Sequence, residues 1–142
     1  MLDRLIAGNT MAELSTLPEL GATYGIPLAR AFMAAVFLYS GQDKLRHWRE
    51  GVEEVAGLGL PMPRLSAAAT IAVQIVAGLS VLLGIGTAWG AAVLAVFTAV
   101  ATVLGHRFWL LHGQPARKEL ATSLEHLAIV GGLLLLVIVG TG

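Results

Sequence analysis

The sequence predicts an all-α membrane protein: a four-transmembrane-helix bundle with a short amphipathic surface helix between the first and second spans. Three observations carry that prediction. Of the 142 residues, 56% are hydrophobic and only 13% charged, where soluble chains carry about 25% charged residues, and the mean hydropathy is +0.79. From Leu65 to His106 no Asp, Glu, Lys or Arg occurs, a stretch long enough for two crossings, because about 20 apolar residues span a bilayer's hydrocarbon core. Two further apolar runs stand outside it: Ile26 to Gly41, interrupted only by Arg30, and Leu120 to Gly140, interrupted only by Glu125 and His126.

Taken in order, residues 1–24 form an N-terminal segment. Leu2, Leu5, Leu14, Leu17 and Leu20 hint at an interfacial helix that Gly8, Asn9, Gly21 and Gly25 interrupt, and no basic start followed by an unbroken apolar core marks a secretory signal. The transmembrane domain covers 25–142. Its first span starts near Ile26, with Pro27 in the first turn, where a missing N–H costs nothing. Between Lys44 and Leu58, the residues Leu45, Trp48, Val52, Val55 and Leu58 recur at helical spacing, and Arg46 with Glu50 and Arg49 with Glu53 form opposite-charge pairs four apart. This is the surface helix. Gly57 to Arg64, rich in glycine and proline, ends it. The second span runs from about Leu65 to Leu83, and the third from about Ala88 to Gly105. Between them Gly84, Gly86 and Gly90 break the run, and Trp89 supplies an interfacial ring. The fourth runs from Leu120 to Gly140. Gly131 with Gly132, and the ladder Ala67, Ala68, Ala72 and Gly78, read as close-packing surfaces between helices.

Charge sets the orientation. Lys44, Arg46, Arg49 and Arg64 fall in the first connection and Arg107, Arg117 and Lys118 in the third, while the second connection and the C-terminus are uncharged. The positive-inside rule places both basic connections in the cytoplasm and both termini on the outer face. Nine Lys and Arg balance nine Asp and Glu, which leaves no field to hold nucleic acid. Without cysteine there is no thiol chemistry and no thiolate-held cluster. The four histidines form no spaced ligand pair on one helix, so no metal or haem site is expected.

Several segments together carry a family resemblance: Arg30 followed by an apolar stretch into Gly41 to Leu45 (GQDKL), Gly59 to Pro63 (GLPMP), Gly78 to Thr87 (GLSVLLGIGT), His106 to Trp109 (HRFW) and Leu124 to Leu135 (LEHLAIVGGLLL). In this order and with four spans, the chain resembles the DoxX family of small bacterial membrane proteins from Leu28 to its end. The resemblance implies a multi-pass protein of the bacterial inner membrane, and relatives in thiosulfate oxidation imply a link between a partner oxidoreductase and membrane quinone. Two positions depart from the family's pattern: Gln74 stands where many members carry a glutamate, and Glu125 with His126 stands where they carry a Lys-Asn pair.

An ionisable residue at bilayer depth invites a named partner or a function. Alternating span directions gather Asp43, Lys44, His106, Arg107, Glu125 and His126 near one end. One reading is a mutual salt-bridge and hydrogen-bond network among helix ends. The other is a quinone site, in which His106, His126 and Glu125 donate hydrogen bonds and exchange protons while Phe108 and Trp109 stand beside the ring. Glu125 and His126 point about 100° apart, so only one faces a ligand squarely. His126 shares its side with Thr122 and Val130, and Glu125 with Ala121 and Ile129. Arg30 lies near the opposite end, out of reach of Glu125 across the ~30 Å core, and reads as a snorkelling side chain. Gln74, at mid-span, reads as a helix-to-helix hydrogen bonder.

Three functions follow from this. The first is a membrane anchor or quinone-linked subunit serving a soluble oxidoreductase partner, with quinone as the bound cofactor. The second is a scaffold or assembly protein without catalysis, acting through the surface helix. Transport of a small solute ranks behind both, because Gln74 alone lines no polar path. The bilayer is the expected partner, and the chain could also assemble as a homo-oligomer.

Overall fold

A computed structural model describes residues 16–140. The spans are α1 (Ile26–Arg46), α3 (Pro63–Leu83), α4 (Thr87–Gly105) and α5 (Gln114–Val139), with the short helix α2 (Trp48–Gly57) between the first two. All four long helices have the length and apolarity to cross a membrane. The chain is an all-α membrane bundle.

Packing partners fix the directions. Along α1 and α3, Gly41 meets Gln74 and Ile75, Gly78 meets Leu38, and Gly84 meets Arg30, so one number falls as the other rises and the helices are antiparallel. Gly140 lies against Thr87 and Ala88, while Thr102 meets His126, so α4 and α5 are antiparallel too. The pairs α1–α3, α3–α4 and α4–α5 pack extensively and α1–α5 only sparsely. The α2 end of the bundle therefore holds the C-termini of α1 and α4 and the N-termini of α3 and α5. The opposite end holds the α3–α4 turn.

That turn is short because two glycines adopt the left-handed conformation, Gly84 at φ +76 and Gly86 at φ +65, which side chains resist. Ser80 closes it: its carbonyl accepts from the amides of Gly84 and Ile85, and its hydroxyl donates to Ile85 O at 2.6 Å. Trp89 follows, 81% exposed, as an interfacial ring would be. The core is small and alanine-rich: Ala34, Ala77, Ala91 and Ala95 surround Phe37, Val81, Leu94 and Leu133. Small residues suit a bilayer, where helices associate by close packing because lipid is as apolar as leucine.

The helix of the first span is longer than its expected start near Ile26. Helix extends back to Thr16 through a π-helical segment, Gly21–Gly25, where the Ile26 amide bonds to Gly21 O, five residues back. The wider turn accommodates Pro27, which has no amide to donate and whose ring crowds the carbonyl four residues earlier. Residues 1–15 of the expected N-terminal segment lie outside the described residues.

The short helix stands between the first two spans as expected, but its start and its ion pairs differ from the sequence reading. His47, at φ −105 and ψ 52, breaks the course between α1 and α2, so Arg46 and Glu50 no longer share one helix. Neither Arg46–Glu50 nor Arg49–Glu53 forms an ion pair among the described residues. The ion pairs at this corner are Lys44 Nζ to Glu54 Oε2 at 3.1 Å and His47 Nδ1 to Asp43 Oδ1 at 3.2 Å. Val55 of α2 is 3% exposed, tucked against the bundle.

The small-residue surfaces divide. Ala67 and Gly78 are buried, but Ala68 and Ala72 are exposed, because the packed face of α3 runs through Ala67, Ile71, Gln74, Ala77, Gly78 and Val81. Gly132 packs on Met33, whereas Gly131 faces open space.

Candidate functional site

A polar network joins α4 and α5 near the α2 end. On α4, Thr98, Thr102 and His106 stand four residues apart and thus on one face. On α5, Glu119 and His126 stand two turns apart. The antiparallel register brings the two rows together. His106 Nδ1 lies 2.6 Å from Glu119 Oε2, and Thr102 Oγ1 lies 2.8 Å from His126 Nδ1. The two imidazoles meet edge to face, with centroids 4.9 Å apart and planes at 72°.

Donor counting orients these bonds. The single hydroxyl hydrogen of Thr102 goes to Thr98 O at 2.7 Å, so its oxygen accepts from His126 Nδ1–H. The carboxylate of Glu119 accepts from His106 Nδ1–H. In both rings Nδ1 is engaged, and Nε2 makes no hydrogen bond among the described residues. The arrangement thus presents two oriented imidazoles, each with Nε2 free of hydrogen bonds among the described residues. One ring is backed by a carboxylate and one by a hydroxyl. The side chains of His106 and Glu119 are 26% and 34% exposed, which leaves the pair reachable.

The six residues gathered at this end by the sequence separate in the structure. His106 and His126 meet, but Asp43 and Lys44 turn to His47 and Glu54 on the α1–α2 side. No hydrogen bond or ion pair joins the two groups among the described residues. Sparse packing between α1 and α5 is the reason. Glu125 is exposed and has no hydrogen-bond or ion-pair partner there; Glu119 supplies the carboxylate in its place. Arg107 is exposed, and its Nε donates to Leu104 O at 3.2 Å. Trp109, in a 3-10 turn over Phe108–Leu110, is 54% exposed. Its ring contact among the described residues is with Phe108, at 5.2 Å and 78°, and not with the imidazoles.

Glu119 and Thr102 escaped the sequence reading, although a signal existed: the fourfold spacing Thr98, Thr102, His106 and the sevenfold spacing Glu119, His126 each mark one helical face. Among the described residues no group of His, Asp and Glu could hold a metal ion.

The two polar residues of the spans sit elsewhere. Gln74 is 5% exposed; its Nε2 donates to Ser40 Oγ at 3.0 Å, while its buried Oε1 has no partner. Arg30 lies at the far end, its guanidinium against Gly84 and its Nε buried without a hydrogen bond.

Comparison with known proteins agrees with this architecture. The inner membrane protein YphA of Escherichia coli (strain K12) is 29% identical over 115 residues, covering 81% of this chain and 82% of that protein. No solved structure matches. The DoxX family model matches residues 25–107, a stretch that holds the first three spans with Thr102 and His106 but stops short of α5. With more than half its length matched and four apolar helices in an all-α bundle, the chain belongs to the DoxX family.

Proposed function

We propose that this protein is the quinone-linked membrane subunit of an oxidoreductase complex, with the quinone headgroup received at His106 and His126. The observation that supports the reading best is the pair of imidazoles, each tethered at Nδ1 and open at Nε2. A headgroup carries two carbonyl oxygens that accept hydrogen bonds, and its reduction consumes two electrons and two protons. This chain contributes no cysteine for electron transfer, so the electrons come from a cofactor of a soluble partner. Its own residues bind the headgroup and move protons. His106, its Nδ1–H held by Glu119, exchanges a proton with one headgroup oxygen through Nε2; His126, its Nδ1–H given to Thr102, presents an Nε2 lone pair that accepts from the hydroxyl at the other oxygen of the reduced headgroup. The basic α2 end faces the cytoplasm by the positive-inside rule, and the likeness to YphA supports a bacterial inner membrane as the setting.

A thermal-shift titration in detergent tests this, with short-tailed ubiquinone and short-tailed menaquinone run on the wild type and on His126→Ala. A ligand that binds only the folded state raises the melting temperature, by about 5 °C or more when far above its Kd. The expected result is a saturable rise that the variant loses. No rise with either quinone, in protein that melts cooperatively, overturns the reading and favours a scaffold acting through the exposed charges of α2.

A further inference from the structure

At the end opposite the histidines, a cavity of about 230 Å³ opens between the start of α1, the α3–α4 turn and the end of α5, lined by Arg30, Gly84, Gly86, Thr87, Leu136 and Gly140 among others. We infer that this cavity binds a phosphate oxyanion on the Arg30 guanidinium, supplied by an anionic lipid headgroup or by phosphate from solution.

Among the described residues the charge of Arg30 has no counter-ion. No carboxylate lines the cavity among the described residues. Asp43, Glu119 and Glu125 are at the other end of the bundle, and Glu19 is about 16 Å up the same helix at 1.5 Å per residue. Nor are its donors used: Nε is buried with no hydrogen-bond partner, and among the described residues no carbonyl takes a hydrogen bond from the guanidinium. A snorkelling arginine would place its head in water. This one is partly exposed and lies against Gly84, so close that a Cβ there would stand 2.6 Å from Nη1 and 2.8 Å from Nη2. An uncompensated charge held this way is costly. Water in the cavity would satisfy the donors but not the charge.

The remaining lining fits an oxyanion. The planar fork of a guanidinium matches two oxygens of a phosphate. Thr87, 8% exposed, adds a hydroxyl with no hydrogen bond among the described residues. Gly84 and Gly86 keep side chains out of the approach. Trp89 and Ile85, 81% and 72% exposed beside the cavity, mark the level where headgroups lie. The histidine network is remote, so this site stands apart from the quinone proposal.

The test titrates the purified full chain in detergent with short-chain phosphatidylglycerol and, separately, with inorganic phosphate, following the melting temperature of the wild type, Arg30→Gln and Arg30→Lys. The expected result is a saturable rise of about 5 °C or more in the wild type, absent in Arg30→Gln. A rise with phosphatidylglycerol alone identifies a lipid headgroup, and a rise with inorganic phosphate alone identifies a soluble oxyanion. Arg30→Lys keeps the charge and guards against a glutamine variant that fails to fold; losing the fork, it should bind about tenfold more weakly. No rise with either probe, or an undiminished rise in both variants, overturns the inference.

Discussion

His106 and Glu119, on consecutive helices, meet at 2.6 Å between Nδ1 and Oε2, and this contact decides which carboxylate belongs to the candidate site. Glu125, beside His126 in sequence, points away from it into the surroundings of the bundle. The difference is measurable. Glu119→Ala should lower stability in detergent by about 1 kcal/mol, a charged hydrogen bond discounted for its partial exposure, and should weaken any quinone-induced shift in melting temperature. Glu125→Ala should leave both within error. Equal effects from the two substitutions would return Glu125 to the site.

Two glycines within spans should respond in opposite ways. A Cβ at Gly90 would stand 2.8 Å from Ser80 Oγ and 3.0 Å from the Ala77 carbonyl oxygen, and backbone cannot step aside. Gly90→Ala should therefore cost about 2 kcal/mol or more. Gly131 meets nothing within 4 Å, so Gly131→Ala should be neutral or stabilising by up to about 1 kcal/mol through helix propensity. Reversible unfolding in mixed detergent measures both.

Gly84→Ala combines two penalties. A left-handed residue with a Cβ costs about 1–2 kcal/mol, and here φ is +76 with the Arg30 guanidinium in the space that Cβ would fill. The variant should melt several degrees below the wild type. Arg30→Ala in the Gly84→Ala background should recover part of the loss, because it removes the clash but not the backbone strain.

Gln74 and Ser40 bridge α1 and α3 by one hydrogen bond at 3.0 Å. A double-mutant cycle with Gln74→Ala and Ser40→Ala should return a coupling of about 0.6 kcal/mol, the average for such bonds in membrane proteins. The total cost of Gln74→Ala should stay modest, because the buried Oε1 that it removes has no partner to lose. A coupling indistinguishable from zero would remove this bond from the account of how α1 and α3 adhere.

The fold was legible in the sequence because bilayer crossing is a local property. An apolar run of sufficient length is helical wherever its neighbours lie, since lipid offers backbone amides no other partner. The absence of charge from Leu65 to His106 and the glycines at 84 and 86 thus mark two spans and their turn without any tertiary information. The choice of partners within the bundle is not local. Which face of α3 packs is settled by the approach of α1 at Gly41 and Gly78, and this leaves Ala68 and Ala72 outside. That Glu119 and not Glu125 meets His106 depends on the register of α5 against α4, set by the contact of Gly140 with Thr87 and Ala88 at the far end. The contact of the Arg30 guanidinium with Gly84 requires the α3–α4 turn to fold over the start of α1. Composition and hydropathy determine that four helices cross the membrane; helix rotation and register, which only packing between helices can set, decide which polar side chains meet.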